Sequence, residues 1–137
     1  MKKNYSLLIL TLSLFIFSCE EEPNEITTPN ITFESPTNES FLIGENINIS
    51  ILVSHNEVLD NVKYYEILNC SDDNYDSLNL LEWENIYQLE WSYEKNIETD
   101  YLTEDIICTC TIQVEANDLN NIMNQTEILI NIANDES

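Results

Sequence analysis

Ile47, Ile49, Ile51 and Val53 occupy every second position between Asn46 and Ser54, with Asn48, Ser50, Leu52 and Ser54 between them. A period of two puts the four branched side chains on one side of an extended chain, whereas a helix would scatter them around its circumference. β-Branched residues also pack well on a pleated surface. The segment is a strand with one buried face, and such a strand needs neighbours.

Similar alternation runs through the rest of the chain. Ile31 and Phe33 begin a strand that stops at Ser35-Pro36, because proline donates no ladder hydrogen bond. Phe41-Leu42-Ile43 leads into a turn at Gly44-Glu45-Asn46. After a break at His55-Asn56-Glu57, a strand from Val62 to Leu68 turns Val62, Tyr64 and Leu68 one way and Lys63, Tyr65 and Ile67 the other. Between residues 78 and 101, helical and strand spacing both fit, and aromatic richness favours a strand from Ile86 to Glu94. Ile106 to Ala116 aligns Cys108, Cys110, Ile112 and Val114, and after a turn at 117–121 the strand Thr126 to Ile132 closes the chain. Short alternating strands separated by turns predict an all-β fold, an antiparallel β-sandwich.

The N-terminus reads as an address. Met1-Lys2-Lys3-Asn4 is a basic head, and the apolar run from Tyr5 to Phe17 is shorter than the roughly 20 residues of a bilayer span. It fits the core of a secretory signal. The following Ile16-Phe17-Ser18-Cys19 resembles the lipobox of bacterial lipoproteins, which implies cleavage before Cys19 and acylation of that residue. Two or more acyl chains anchor stably where one is marginal. Glu20-Glu21-Glu22 resembles the signal that exports Bacteroidota lipoproteins to the outer face of the outer membrane; a solvated acidic tether is the other reading. The expected organisation is a signal peptide over 1–18, a lipidated Cys19 with an acidic tether over 19–29, and a sandwich over 30–134. The expected location is the outer membrane through a lipid anchor, on either its periplasmic or its surface face.

Pro29-Asn30-Ile31-Thr32-Phe33-Glu34-Ser35-Pro36, Gly44 ahead of the isoleucine strand, and Leu59, Val62 and Tyr64 after it resemble the start of an immunoglobulin- or cadherin-like domain. Val114-Glu115-Ala116-Asn117-Asp118 resembles that domain's last hairpin, with Asn120 or Asn121 in place of the usual glycine, since asparagine tolerates positive φ. Together these features resemble small Bacteroidota envelope lipoproteins carrying one such domain of unknown function. The resemblance implies a fold and an address, with no activity attached.

Composition narrows the chemistry. With 26 acidic residues against four lysines and no arginine, the formal charge is −22, which excludes nucleic acid as a partner. Hydrophobic residues at 43% are too many for a chain held unfolded by its charge. A single glycine leaves no room for a phosphate-cradling loop. The only histidine, His55, is expected in an exposed loop, so no catalytic triad or metal triad is expected and the chain is read as non-enzymatic.

Three cysteines remain after Cys19. Cys108 and Cys110 share one strand face and are poorly placed to pair, so Cys70 is expected to bridge to one of them, leaving the other as a buried thiol. Asp72, Asn74 and Asp76 stand at positions 1, 3 and 5 of a calcium-loop pattern that then fails, with Ser77 in place of glycine and Trp83 at position 12; Glu82 or Glu84 would have to complete it. Calcium is thus a candidate cofactor, and a solvated acidic loop the competing reading. Asp76-Ser77-Leu78 also resembles the Bacteroidota O-glycosylation motif. Trp83 and Trp91, with Tyr87, Tyr93 and Tyr101, are candidates for a sugar-stacking platform or for core filling. The expected function is a non-enzymatic binding role toward a glycan or a protein, or an accessory envelope role against a membrane-protein partner.

Overall fold

A computed structural model describes residues 27–103 and 105–134. The signal peptide, Cys19 and most of the acidic tether lie outside the described residues. Among these residues six strands follow in order: β1 (Asn30–Ser35), β2 (Ser40–Leu42), β3 (Ile47–Cys70), β4 (Ser77–Ile97), β5 (Cys108–Asp118) and β6 (Met123–Ala133). A single 3-10 turn, Asp73–Tyr75, joins β3 to β4. The strands form one sheet in the order β1-β3-β5-β6-β2, with β4 also paired to β3.

This sheet folds over on itself because β3 serves both halves. Its first part, Ile47 to Ser54, lies between β1 and the end of β4, where Ile47 faces Ile97 and Val53 faces Trp91. Its second part, Leu59 to Cys70, lies between the start of β4 and β5, where Leu68 faces both Ser77 and Cys110. The inner faces meet in one core, so the fold is all-β and sandwich-like.

Three expectations change. The predicted break at His55-Asn56-Glu57 interrupts the register and leaves the strand continuous: the pairing shifts between Ser54 and Leu59 and again between Leu59 and Asn61. Extra residues in one strand bend it and increase its twist, which carries β3 from one layer to the other. The ambiguous region is a single 21-residue strand, longer than the predicted Ile86–Glu94. Asn85 (φ 56°) and Tyr87 (φ 52°) turn it at its middle, a left-handed backbone that period-two reasoning does not register. The sheet is also mixed, since β2 pairs with β6 in parallel, Phe41 opposite Ile132.

The alternation predicted for the first half of β3 holds: Ile47, Ile49, Ile51 and Val53 are fully buried, as are Val62 and Tyr64 further along the strand. Facing them, Cys110 and Ile112 of β5 and Ile130 and Ile132 of β6 complete the core. The predicted turn at Gly44 takes φ 90°, a conformation that costs a residue without Cβ little. Buried Thr99 fastens that turn: its hydroxyl accepts from Gly44 N at 2.8 Å and donates to Glu45 O at 2.9 Å.

Cys70 and Cys108 stand directly opposite on β3 and β5 and form a disulfide, with Cα atoms 4.0 Å apart. Among the described residues Cys110 is the free thiol, and it is buried. Burial, reinforced by Glu66 and opposed by Lys95, pushes its pKa up to about 12. A maleimide reagent should therefore leave Cys70, Cys108 and Cys110 of the native protein unlabelled, and label Cys110 alone after denaturation without reductant. Labelling of all three, read by mass spectrometry of tryptic or acid fragments, would reject the bridge.

Candidate functional site

An open cleft of about 710 Å³ lies where the chain enters the domain. Thr27, Thr28 and Asn30 form one wall, Ser54, His55 and Asn56 of the β3 bulge the floor, and Gln88, Leu89 and Glu90 of the β4 bend the other wall. The same irregularities that fold the sheet over therefore shape the cleft. Asn56 and Thr27 are hydrogen-bonded across it through their side chains. A neighbouring groove of about 430 Å³ shares Gln88 and Glu90 and adds Leu52, Trp91 and Ser92.

His55 is placed differently from the exposed loop position expected of it. Its side chain is only 2% exposed, and Nε2 lies 3.4 Å from Oδ2 of the equally buried Asp118. The irregularity explains this: His55 lies where five residue steps of β3 oppose two of β4, and the extra residues re-aim its side chain inward, against the β5–β6 hairpin. Asp118 in turn builds that hairpin. Its Oδ1 accepts from Asn120 N at 2.8 Å and from Ile122 N at 2.7 Å, and its backbone N donates to Ile122 O. Asn121 takes φ 60°, filling the position where the resemblance expects glycine. Burial would raise the Asp118 pKa, but the Ile122 and Asn120 amides and His55 outweigh it, and the carboxyl ends below its ordinary value. Sequence reasoning did not pair His55 with Asp118, because 63 residues separate them and only the fold brings them together.

The aromatic residues divide. Trp83 and Trp91 face each other across the inner surface with ring centroids 4.9 Å apart, and Tyr93 lies 5.0 Å from Trp83 and 5.2 Å from Tyr64. All three of Trp83, Trp91 and Tyr93 are half-buried and packed on the core. Tyr87 and Tyr101 stand apart and exposed. Trp91 is the one tryptophan that also borders the second groove.

A charged group lies inside the same inner surface. Lys95 Nζ pairs with Glu66, and the Tyr64 hydroxyl donates to the same Glu66 oxygen at 2.8 Å. Burial, and then the Glu66 charge and hydrogen bond, hold the Tyr64 phenol protonated far above its usual range. Satisfying a largely buried carboxylate with both a cation and a hydroxyl offsets much of its desolvation.

The acidic loop is put to local use. Asp72 Oδ1 accepts from Asn74 N at 3.0 Å and from the Asn74 side chain, capping the 3-10 turn. Asp76 Oδ1 accepts from Cys70 N at 2.7 Å. Glu82 is drawn away to Asn61 and Lys63. Among the described residues no three His, Cys, Asp or Glu side chains converge as a metal site.

No protein-family model matches this chain, and no curated protein matches it.

Two expected outcomes test this geometry. Asp118→Ala leaves two hairpin amides without their acceptor and should destabilise the fold by about 2 kcal/mol. Since the folded pKa of Asp118 lies below its ordinary 3.8, the stability it contributes is complete above about pH 4 and fades as pH falls through the lowered value. Urea melts from pH 7 down to pH 2 should show the gap between wild type and variant narrowing only at the acid end. Separately, Trp83→Ala should cost about 2–3 kcal/mol, somewhat less than a fully buried tryptophan, measured by the same melts.

Proposed function

We propose that this chain is a lipid-anchored cell-envelope protein of the outer membrane, held through Cys19, whose immunoglobulin-like domain has a non-enzymatic binding role toward a neutral glycan. The lining of the cleft carries the reading. Six of its nine residues, Thr27, Thr28, Asn30, Ser54, Asn56 and Gln88, present uncharged hydroxyls or amides. Such groups match the donors and acceptors of sugar hydroxyls, while Leu89 and the neighbouring Trp91 offer apolar surface to ring faces. The surrounding acidity would repel an anionic ligand entering the same space.

A second reading, an accessory role against a membrane-protein partner, is favoured by the tether. Seven residues lie between Cys19 and Thr27 at the cleft wall, eight Cα-to-Cα steps in all. Fully extended they reach about 28 Å, so an anchored cleft stays close to the bilayer.

Mass spectrometry of the chain from its host should find a mature N-terminus at Cys19 bearing two or three acyl groups, and Cys19→Ser should abolish them. On a neutral-glycan array the full chain should give a hit that Asn56→Ala and Gln88→Ala each weaken about tenfold at unchanged melting temperature. An array without hits, combined with crosslinking from the cleft to a membrane protein, favours the second reading.

A further inference from the structure

The first half of β4 has an uncovered edge. From Ser77 to Glu84 the strand pairs with β3 on one side, and among the described residues no strand pairs with it on the other. Its openness extends to the side chains: Leu78 is 69% and Leu80 48% exposed, and Asn79, on the inward row beside Leu81 and Trp83, is exposed as well. Edge strands are normally blunted by proline, lysine, a bulge or brevity. β1 is short and ends at Ser35-Pro36, with a register shift between Phe33 and Ser35, and β2 has three residues. From Ser77 to Glu84 the edge carries no proline, lysine or register shift, and its charges, Glu82 and Glu84, stand at one end only.

Its outward face carries a pattern. At a spacing of two, the row reads Asp76, Leu78, Leu80, Glu82, Glu84. Leu78 extends a row across the sheet, because it faces Ile67, Ile67 faces Thr111, and Thr111 faces the exposed Leu129, while Leu80 faces Tyr65. Acids bracket the leucines at both ends, and the one cation of the row's neighbourhood, Lys63, is engaged with Glu82 at 3.2 Å.

From this edge we infer an interaction surface for a partner that adds a strand to β4: an extended segment with two apolar residues two positions apart and a lysine or arginine at each end. Main-chain hydrogen bonds complete the edge, the apolar pair covers Leu78 and Leu80, and the flanking cations meet Asp76 and Glu84, since Glu82 is already engaged by Asn61 and Lys63. A second copy of this chain is a poor occupant. Antiparallel pairing that sets Leu78 opposite Leu80 sets Asp76 opposite Glu82, acid on acid, between two chains each carrying −22. The surface is independent of the cleft, so it stands or falls apart from the proposed glycan.

The test uses the full chain and a capped seven-residue peptide alternating lysine, leucine, leucine and lysine with threonine between them. Two control peptides carry glutamate for both lysines, or proline for the central threonine. Titration is followed by tryptophan fluorescence, to which Trp83 and Trp91 both contribute, and by amide exchange across β4. The lysine peptide should bind, protect amides of 77–84, and weaken with added salt. The glutamate and proline peptides should bind at least about tenfold more weakly. Leu78→Thr with Leu80→Thr, at exposed positions that leave the fold intact by melting, should lower affinity by a similar factor. Absence of binding, equal affinity for the lysine and glutamate peptides, or self-association abolished by the leucine substitutions would each overturn the inference.

Discussion

One strand, β3, runs through both halves of the sheet, and its 24 residues make the rest of the structure possible. Before the bulge its isoleucines form one inner wall; after it Val62, Tyr64 and Leu68 form part of the opposite one. A continuous strand keeps its side-chain alternation only while the register is undisturbed, and a one-residue slip would turn the apolar row outward. The shifts between Ser54 and Asn61 are therefore where the chain can change layer and still keep both apolar rows inside. β4 turns at the matching place, through the left-handed residues Asn85 and Tyr87, so the two long strands bend together.

The consequence is a corner, and polar chemistry collects there. His55 enters the interior at the bulge and meets Asp118, which already holds the amides of Asn120 and Ile122. Outside the same corner the bulge and the β4 bend leave the open cleft. At the other end, order depends on covalent and hydroxyl links instead: the Cys70–Cys108 bridge and Thr99 bonded across the Gly44 turn.

Much of this is legible in the sequence where the signal is local. The isoleucine row, the faces of Val62 to Leu68, the Gly44 turn and the partnership of Cys70 with a cysteine of the Cys108 strand all follow from spacing and residue type. A positive φ at Asn120 or Asn121 follows from the resemblance and is found at Asn121. What reads poorly is whatever depends on distant residues. A polar triplet at His55-Asn56-Glu57 looks the same whether a strand ends or bulges, and its buried histidine is explained only by Asp118. Trp83 and Trp91 fit helix and strand spacing alike, and their mutual packing follows from the bend between them. Asp72 and Asp76 match a cation loop in spacing, yet nearby backbone amides take up their oxygens. For the cleft, the residue types of one wall could be listed from the sequence, but its existence could not.

The inward pair Lys95–Glu66 has a practical consequence for how the domain meets proteases. With no arginine in the chain, Lys63 and Lys95 are the only sites for trypsin-like proteases among the described residues, and both sit within paired strands rather than at loop tips. Lys63 is tied to Glu82 and Lys95 is turned toward the core. Proteases that cut after basic residues need an extended, detachable segment in their cleft, and such segments are found at exposed loop tips. The folded domain offers them no such segment, so cleavage by trypsin-like enzymes is coupled to unfolding of the strands themselves.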